Sequence, residues 1–139
     1  MQLTLETDYA IRIVAVLAKN QKRMFASEIA EQTSVTLRFA LKILRKLVGE
    51  GIVQSFKGKQ GGYILAKEPA DITLLQVVEA IEGTVFINRC LRDYESCNRG
   101  KAPLCVFHHI FEQATNHLRQ ELDAVNFENI FEIEQKLPV

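Results

Sequence analysis

All three cysteines of this 139-residue chain, Cys90, Cys97 and Cys105, fall in one polar stretch, CLRDYESCNRGKAPLCVFHH, together with two of its three histidines, His108 and His109. Soft ligands concentrated on a loop rich in charge, Asn, Gly and Pro make a metal-site pattern, whereas a structural cysteine more often stands alone inside an apolar run. The spacing contains no CxxC pair, which argues against zinc-knuckle and thioredoxin patterns. An iron-sulfur cluster usually takes four protein ligands, and His can replace Cys. Three thiolates therefore leave one position for a His, a carboxylate or a partner subunit. The alternative is three unrelated thiols on a reduced surface.

The length suits one compact core. Hydrophobic residues make up 47% of the chain and charged residues 24%, so it reads as soluble and globular. No apolar run approaches the roughly 18 to 20 residues that cross a bilayer. The opening residues lack a basic n-region, which argues against a signal peptide. An odd cysteine count without an export signal points to a reducing compartment, the cytoplasm. The net charge of zero conceals an asymmetry: residues 1–67 carry 11 Lys and Arg against 5 Asp and Glu, and residues 68–139 carry 6 against 12. A basic half joined to an acidic one suggests that the first meets a polyanion.

The elements that must present these groups follow from periodicity. Residues 5–19 form a helix with Tyr9, Ile13, Val14, Leu17 and Ala18 on one stripe and Thr7 as its cap. Asp8 falls in its opening turn. Residues 27–32 form a short amphipathic helix opened by Ser27. Thr36 then caps a longer one through Val48, with Leu37, Ala40, Leu41, Leu44, Leu47 and Val48 inward and a cationic ridge of Arg38, Lys42 and Arg45 outward. This is the helix-turn-helix pattern, in which the second helix enters the major groove. Thr36, Arg38, Phe39 and Lys42 are the expected contacts to bases or nearby phosphates, and Arg45 the expected phosphate contact.

Residues 52–56 and 63–66 alternate as a hairpin whose connection, KGKQGG, has a positive tip and glycines that permit close backbone approach. It reads as a wing along a sugar-phosphate groove, and Lys57, Lys59, Gly61, Gly62 and Tyr63 complete the expected DNA-binding set. Residues 71–82 form a third helix, with Leu74, Leu75, Val78 and Ile81 inward. From Leu104 the positions His108, Phe111, Thr115, Leu118, Leu122 and Val125 repeat every three to four residues, a seam that predicts pairing with a second copy. Residues 126–139 read as an amphipathic tail with Phe127, Ile130, Phe131 and Leu137 docking back. The expected fold is mainly α with a small β-wing: a winged helix-turn-helix region over residues 1–67, and a dimerisation region over 68–139 that carries the cysteine loop, 90–105, and a long helix. The two make one compact intertwined domain.

The LTxxTDYAIR start, the helix-turn-helix, the GIVQSFKGKQGGYILA wing, ITLLQVVEAIEG and three cysteines before a long helix together resemble the Rrf-two family of bacterial transcription regulators, of the IscR, NsrR and RirA type. The resemblance spans nearly the whole chain. It implies a homodimer on double-stranded DNA with an inverted-repeat operator, crossed long helices, and an iron-sulfur cluster on Cys90, Cys97 and Cys105. In NsrR-like members the remaining ligand is similar in position to Asp8, contributed by the partner subunit; in IscR-like members it corresponds to His108. Lys42, in an L-K-I-L context, resembles the NsrR and RirA members, which favours Asp8 and a 4Fe-4S cluster, with 2Fe-2S as the alternative. The implied function is promoter binding controlled by a cluster that senses nitric oxide, iron or redox state. A DNA-binding regulator that senses through thiol oxidation or zinc fits the cysteines alone. An iron-sulfur electron carrier would leave the basic helix and wing without purpose. No HExxH, GxSxG or phosphate-loop pattern points to an enzyme or a small-molecule substrate.

Overall fold

The structure, a computed structural model, describes residues 2–138. Helix α1 (Leu5–Asn20) lies at the centre of the fold, because its apolar positions recur on more than one face. Ala10, Ile13, Val14, Leu17 and Ala18 are sealed from water, and the helix packs against three other helices and the hairpin. Burying a side chain of Leu or Ile size contributes about 1.5–3 kcal/mol. The cap is Thr4, whose hydroxyl accepts from the Thr7 amide at 3.3 Å. Thr7, expected as the cap, is instead fully buried inside the first turn.

Helix α2 (Ala26–Thr33) is opened not by Ser27 but by Phe25, whose amide donates to Glu28 Oε2 at 3.0 Å. Ser34 ends it in the left-handed region, with φ 57°, and donates back to Ala30 and Glu31 carbonyls. Val35 is buried in that turn, so the chain re-enters at once as α3 (Leu37–Gly49). Thr36 caps α3 as its position predicts, accepting from the Phe39 amide at 3.3 Å. The inward face of α3 consists of Ala40, Ile43, Leu44 and Leu47. Leu37 and Leu41, expected inward, are about half exposed, because the buried stripe is rotated towards Ile43.

Strands β1 (Val53–Phe56) and β2 (Gly62–Leu65) pair antiparallel, with Val53 opposite Leu65 and Phe56 opposite Gly62. Met24 adds a further bridge: its amide and carbonyl both bond Tyr63, at 2.9 and 2.8 Å. A 3₁₀ turn, Pro69–Asp71, precedes α4 (Leu74–Glu82), which starts three residues later than its periodicity suggests. Thr73 and Gln76 cap α4 reciprocally. Leu75, Val77 and Val78 are its buried residues, and Leu74 and Ile81 are half-buried.

Three further 3₁₀ turns, Arg89–Leu91, Tyr94–Ser96 and Ala102–Leu104, carry the cysteine segment. It leads into α5 (Val106–Asp123), about 27 Å long at 1.5 Å per residue. Phe127 is buried in the main core, and its amide donates to Ile72 and Pro69 carbonyls. Helix α6 (Ile130–Lys136) follows; Ile130 and Phe131 dock, whereas Leu137 stays 60% exposed and does not. Ile13 of the first half belongs to the same core cluster as Ile72, Val77 and Phe127 of the second. Among the described residues no helix is long and apolar enough to cross a membrane.

Candidate nucleic-acid interface and metal centre

Helix α3 presents Arg38, Lys42 and Arg45 to solvent along one ridge. Lys42 and its neighbour Lys46 are met from α1 by Glu6, whose Oε1 lies 3.5 and 3.0 Å from their ammonium groups. The hydrogen bond from Lys46 holds the Glu6 carboxyl below its ordinary pKa, against a smaller opposing desolvation. Glu6 and Lys46 escape a sequence reading because nothing in the spacing of α1 and α3 says that their faces meet. Thr36 spends its hydroxyl on the helix cap. Phe39 rests edge-on against Tyr9, ring centroids 6.2 Å apart.

In the wing, Lys57 and Lys59 are exposed at the tip, whereas Gly61 and Gly62 are buried. Gly62 has φ 122°, and a Cβ there would stand 2.6 Å from the Met24 carbonyl oxygen; one on Gly61 would stand 2.7 Å from that of Gly58. These glycines shape the hairpin from within. Tyr63, half-buried, commits its backbone to Met24.

In the second half, one cavity of about 190 Å³ is lined by Cys90, Cys97, Cys105 and His108, with Phe107 and Phe111 as its apolar wall. All three cysteines are free of disulfides and half-buried. The Cys97 thiol is drawn below its ordinary pKa, chiefly by the Lys101 backbone amide and then by that of Arg99. This favours the thiolate that metals and oxidants need. His108 is only 4% exposed, and its Nδ1 is buried with no hydrogen-bond partner. Tyr94 packs edge-on against its ring at 5.4 Å. A buried ring nitrogen with no hydrogen-bond partner is costly, and a metal would satisfy it. The donor set therefore fits an iron-sulfur cluster. Among the described residues no three His, Cys, Asp or Glu groups stand close enough to grip a single ion.

The chain does not bring Asp8 to this cavity. Asp8 lies on α1, half exposed and ion-paired with Arg12 at 2.6 Å. Arg12 in turn donates to the Thr33 carbonyl at 3.3 Å and covers the Tyr9 ring. A polar contact between the two halves is made by Glu82, the last residue of α4. Its Oε1 accepts from the Thr4 amide at 2.8 Å, the Thr4 hydroxyl at 2.7 Å and the Thr7 hydroxyl at 2.5 Å.

A short helix, a tight turn, an outward-facing basic helix and a glycine-shaped hairpin define a DNA-binding transcriptional regulator of the winged-helix class. Residues 3–133 match the Rrf2 family, described as an iron-dependent transcriptional regulator. The chain belongs to that family, whose members are regulators and not enzymes. It is similar to the HTH-type transcriptional regulator NsrR of Shouchella clausii, 28% identical over 133 residues, which span 94% of this chain and 88% of the relative. Among solved structures, IscR of T. potens shares the fold at TM-score 0.75 and 20% identity, covering 100% of this chain and 93% of that one. CymR, the global cysteine regulator of B. subtilis, shares it at TM-score 0.72 and 23% identity, over 94% and 95%.

Proposed function

We propose that this chain acts in the cytoplasm as a homodimeric regulator whose promoter affinity is set by an iron-sulfur cluster on Cys90, Cys97, Cys105 and His108. The observation that carries this reading is the unpartnered, buried Nδ1 of His108 in the wall that also holds the three thiols. Asp8 of the partner subunit is the competing fourth ligand, because its carboxylate is accessible and, among the described residues, paired with Arg12. When bound, a 4Fe-4S or 2Fe-2S cluster supplies a centre reactive towards nitric oxide, oxygen and iron loss.

The rest of the mechanism lies in side chains. Glu82, eight residues before Cys90, holds the first turn of α1 through Thr4 and Thr7. From the same turn Glu6 holds Lys42 and Lys46 of the recognition helix. A change in the order of the loop thus reaches the DNA-reading face through two polar contacts. Dimerisation supplies the amplification, since two recognition helices must match half-sites about 34 Å apart. Leu104, Val106, Phe107 and Ile110 are 88, 63, 58 and 52% exposed in one chain, and this surface suits a second copy. Lys57, Lys59, Arg38, Lys42 and Arg45 would meet the inverted-repeat operator, with Thr36 and Phe39 at the start of α3 beside it.

A second reading, sensing by thiol oxidation, is favoured by the Cys97 environment alone. Native mass spectrometry of protein purified without oxygen separates the two. The expected result is a dimer carrying cluster mass, lost in His108→Ala and kept in Asp8→Ala. The reverse pattern would assign the fourth position to Asp8. An empty or zinc-loaded dimer would overturn the cluster reading.

A further inference from the structure

The basic half owes one of its charges to Arg23, in the connection between α1 and α2. On composition alone it counts towards a phosphate-binding surface. Its guanidinium is committed elsewhere. It lies 3.6 Å from the centroid of the Phe56 ring, at the end of β1. From there Nη1 donates to the carbonyl of Gln60, inside the wing loop. Arg23 thereby touches the last residue of the outgoing strand and the residue before the glycine pair of the return. The neighbouring Met24 is hydrogen-bonded to Tyr63 in both directions, so the base of the wing is pinned beside the Arg23 backbone. The Arg23 Cγ also passes close to Gly62: a Cβ on that glycine would lie 3.1 Å from it.

We infer that Arg23 is a positioning residue for DNA recognition: it clamps the wing loop from the α1–α2 connection so that Lys57 and Lys59 stand where a groove can meet them. The inference rests on the proposed DNA-contacting role of the wing and adds a residue outside that wing and outside the recognition helix. The physical case has three parts. A five-residue tip carrying Gly58 and Gly61 has little stiffness of its own, since glycine loses the most conformational freedom on ordering. The planar guanidinium can stack and donate together, which an ammonium cannot do with the same geometry. An arginine stacked on an aromatic face and bonded to a carbonyl keeps its charge but is fixed in place by the two contacts, which hold the wing loop against it.

The test uses the whole protein and a DNA duplex enriched by it from a random pool. Arg23→Gln is expected to weaken binding about tenfold, and Arg23→Lys to weaken it nearly as much, since the charge is kept but the flat stack is lost. In a Lys57→Gln/Lys59→Gln background the same Arg23→Gln change is expected to cost less than twofold, because the groups it positions are already gone. Amide exchange at residues 57–61 should accelerate in both Arg23 variants while exchange in α1 and α3 stays unchanged. Full affinity in Arg23→Lys would mean that charge alone suffices and would overturn the assignment. So would equal losses in the two backgrounds, which would make Arg23 a direct phosphate contact. If no duplex is enriched by the wild-type protein, the DNA-binding role of the wing falls, and the clamp with it.

Discussion

In the first half of the molecule Ile13, Leu17, Leu44 and Leu47 have at most 1% of their surface exposed, and α1 packs against three helices and the hairpin. Across residues 83–118, among those described, only Ala102, His108 and Thr115 are buried, while Leu104, Val106, Phe107 and Ile110 face outward. The interior of the first half is packed within a single chain, although Leu5, Phe25, Leu37 and Phe39 stay roughly half exposed on its surface; the second half leaves a run of apolar residues and its thiols outside that core. On the proposed function this division has a use: a rigid half would read DNA, and the open half would gain order from what it senses.

Two truncations sharpen that contrast. Leu44→Ala removes a fully buried side chain and is expected to cost about 2–5 kcal/mol, read as a fall in the unfolding midpoint in urea. Ile110→Ala is expected to leave the stability of the isolated chain within about 0.5 kcal/mol and to weaken dimerisation, read by sedimentation across a concentration series. If the two variants destabilise the chain equally, the second half has a core of its own and the division between the halves fails.

The regions also differ in how far a sequence reveals them. Helices α1, α3 and α4 and the hairpin follow from residue periodicity and from Thr36 and the glycine-rich connection, because each is held by its own pattern. The cavity-lining set of Cys90, Cys97, Cys105 and His108 is likewise suggested by residue types. Contacts between elements are not legible: Glu6 with Lys42 and Lys46, Glu82 with Thr4 and Thr7, and Arg23 with Phe56 join residues 33 to 78 positions apart. Leu37 and Leu41 mislead for a related reason, since α3 has apolar residues around more than half its circumference and only packing decides which of them go inside. Leu137 misleads because a chain end can match a helical stripe and still find no surface to cover it.

The wing tests the same contrast at one atom. Gly62→Ala places a Cβ 2.6 Å from the Met24 carbonyl oxygen at φ 122°. It is expected to cost about 2 kcal/mol of stability and to weaken DNA binding by moving the tip. Gly58→Ala, at φ 85° with open space around the new methyl, carries only the left-handed penalty of about 1 kcal/mol. Equal melting temperatures for the two variants would mean that the hairpin relaxes freely, and that the rigidity assigned to the DNA-binding half ends at its wing.

The smallest effect concerns the junction itself. The Thr7 hydroxyl, followed by the Thr4 hydroxyl and amide, holds the Glu82 carboxyl below its ordinary value of 4.5. A carboxyl whose folded pKa is depressed stabilises the fold fully above its unfolded pKa, and that contribution is lost as pH falls through the folded value. Stability of the wild type should therefore decline below about pH 4.5, with Glu6 contributing in the same window through Lys46. Glu82→Ala removes one of these two contributions, and the acid limb of a melting-temperature profile should become shallower. At neutral pH the loss is expected to be about 1 kcal/mol, because Glu82 is exposed and water replaces part of what the threonines supply. Glu82→Gln keeps an acceptor for Thr7 and should recover part of the neutral-pH stability without restoring the acid limb. An unchanged acid limb in Glu82→Ala would show that the junction between the sensor segment and α1 does not depend on this carboxylate.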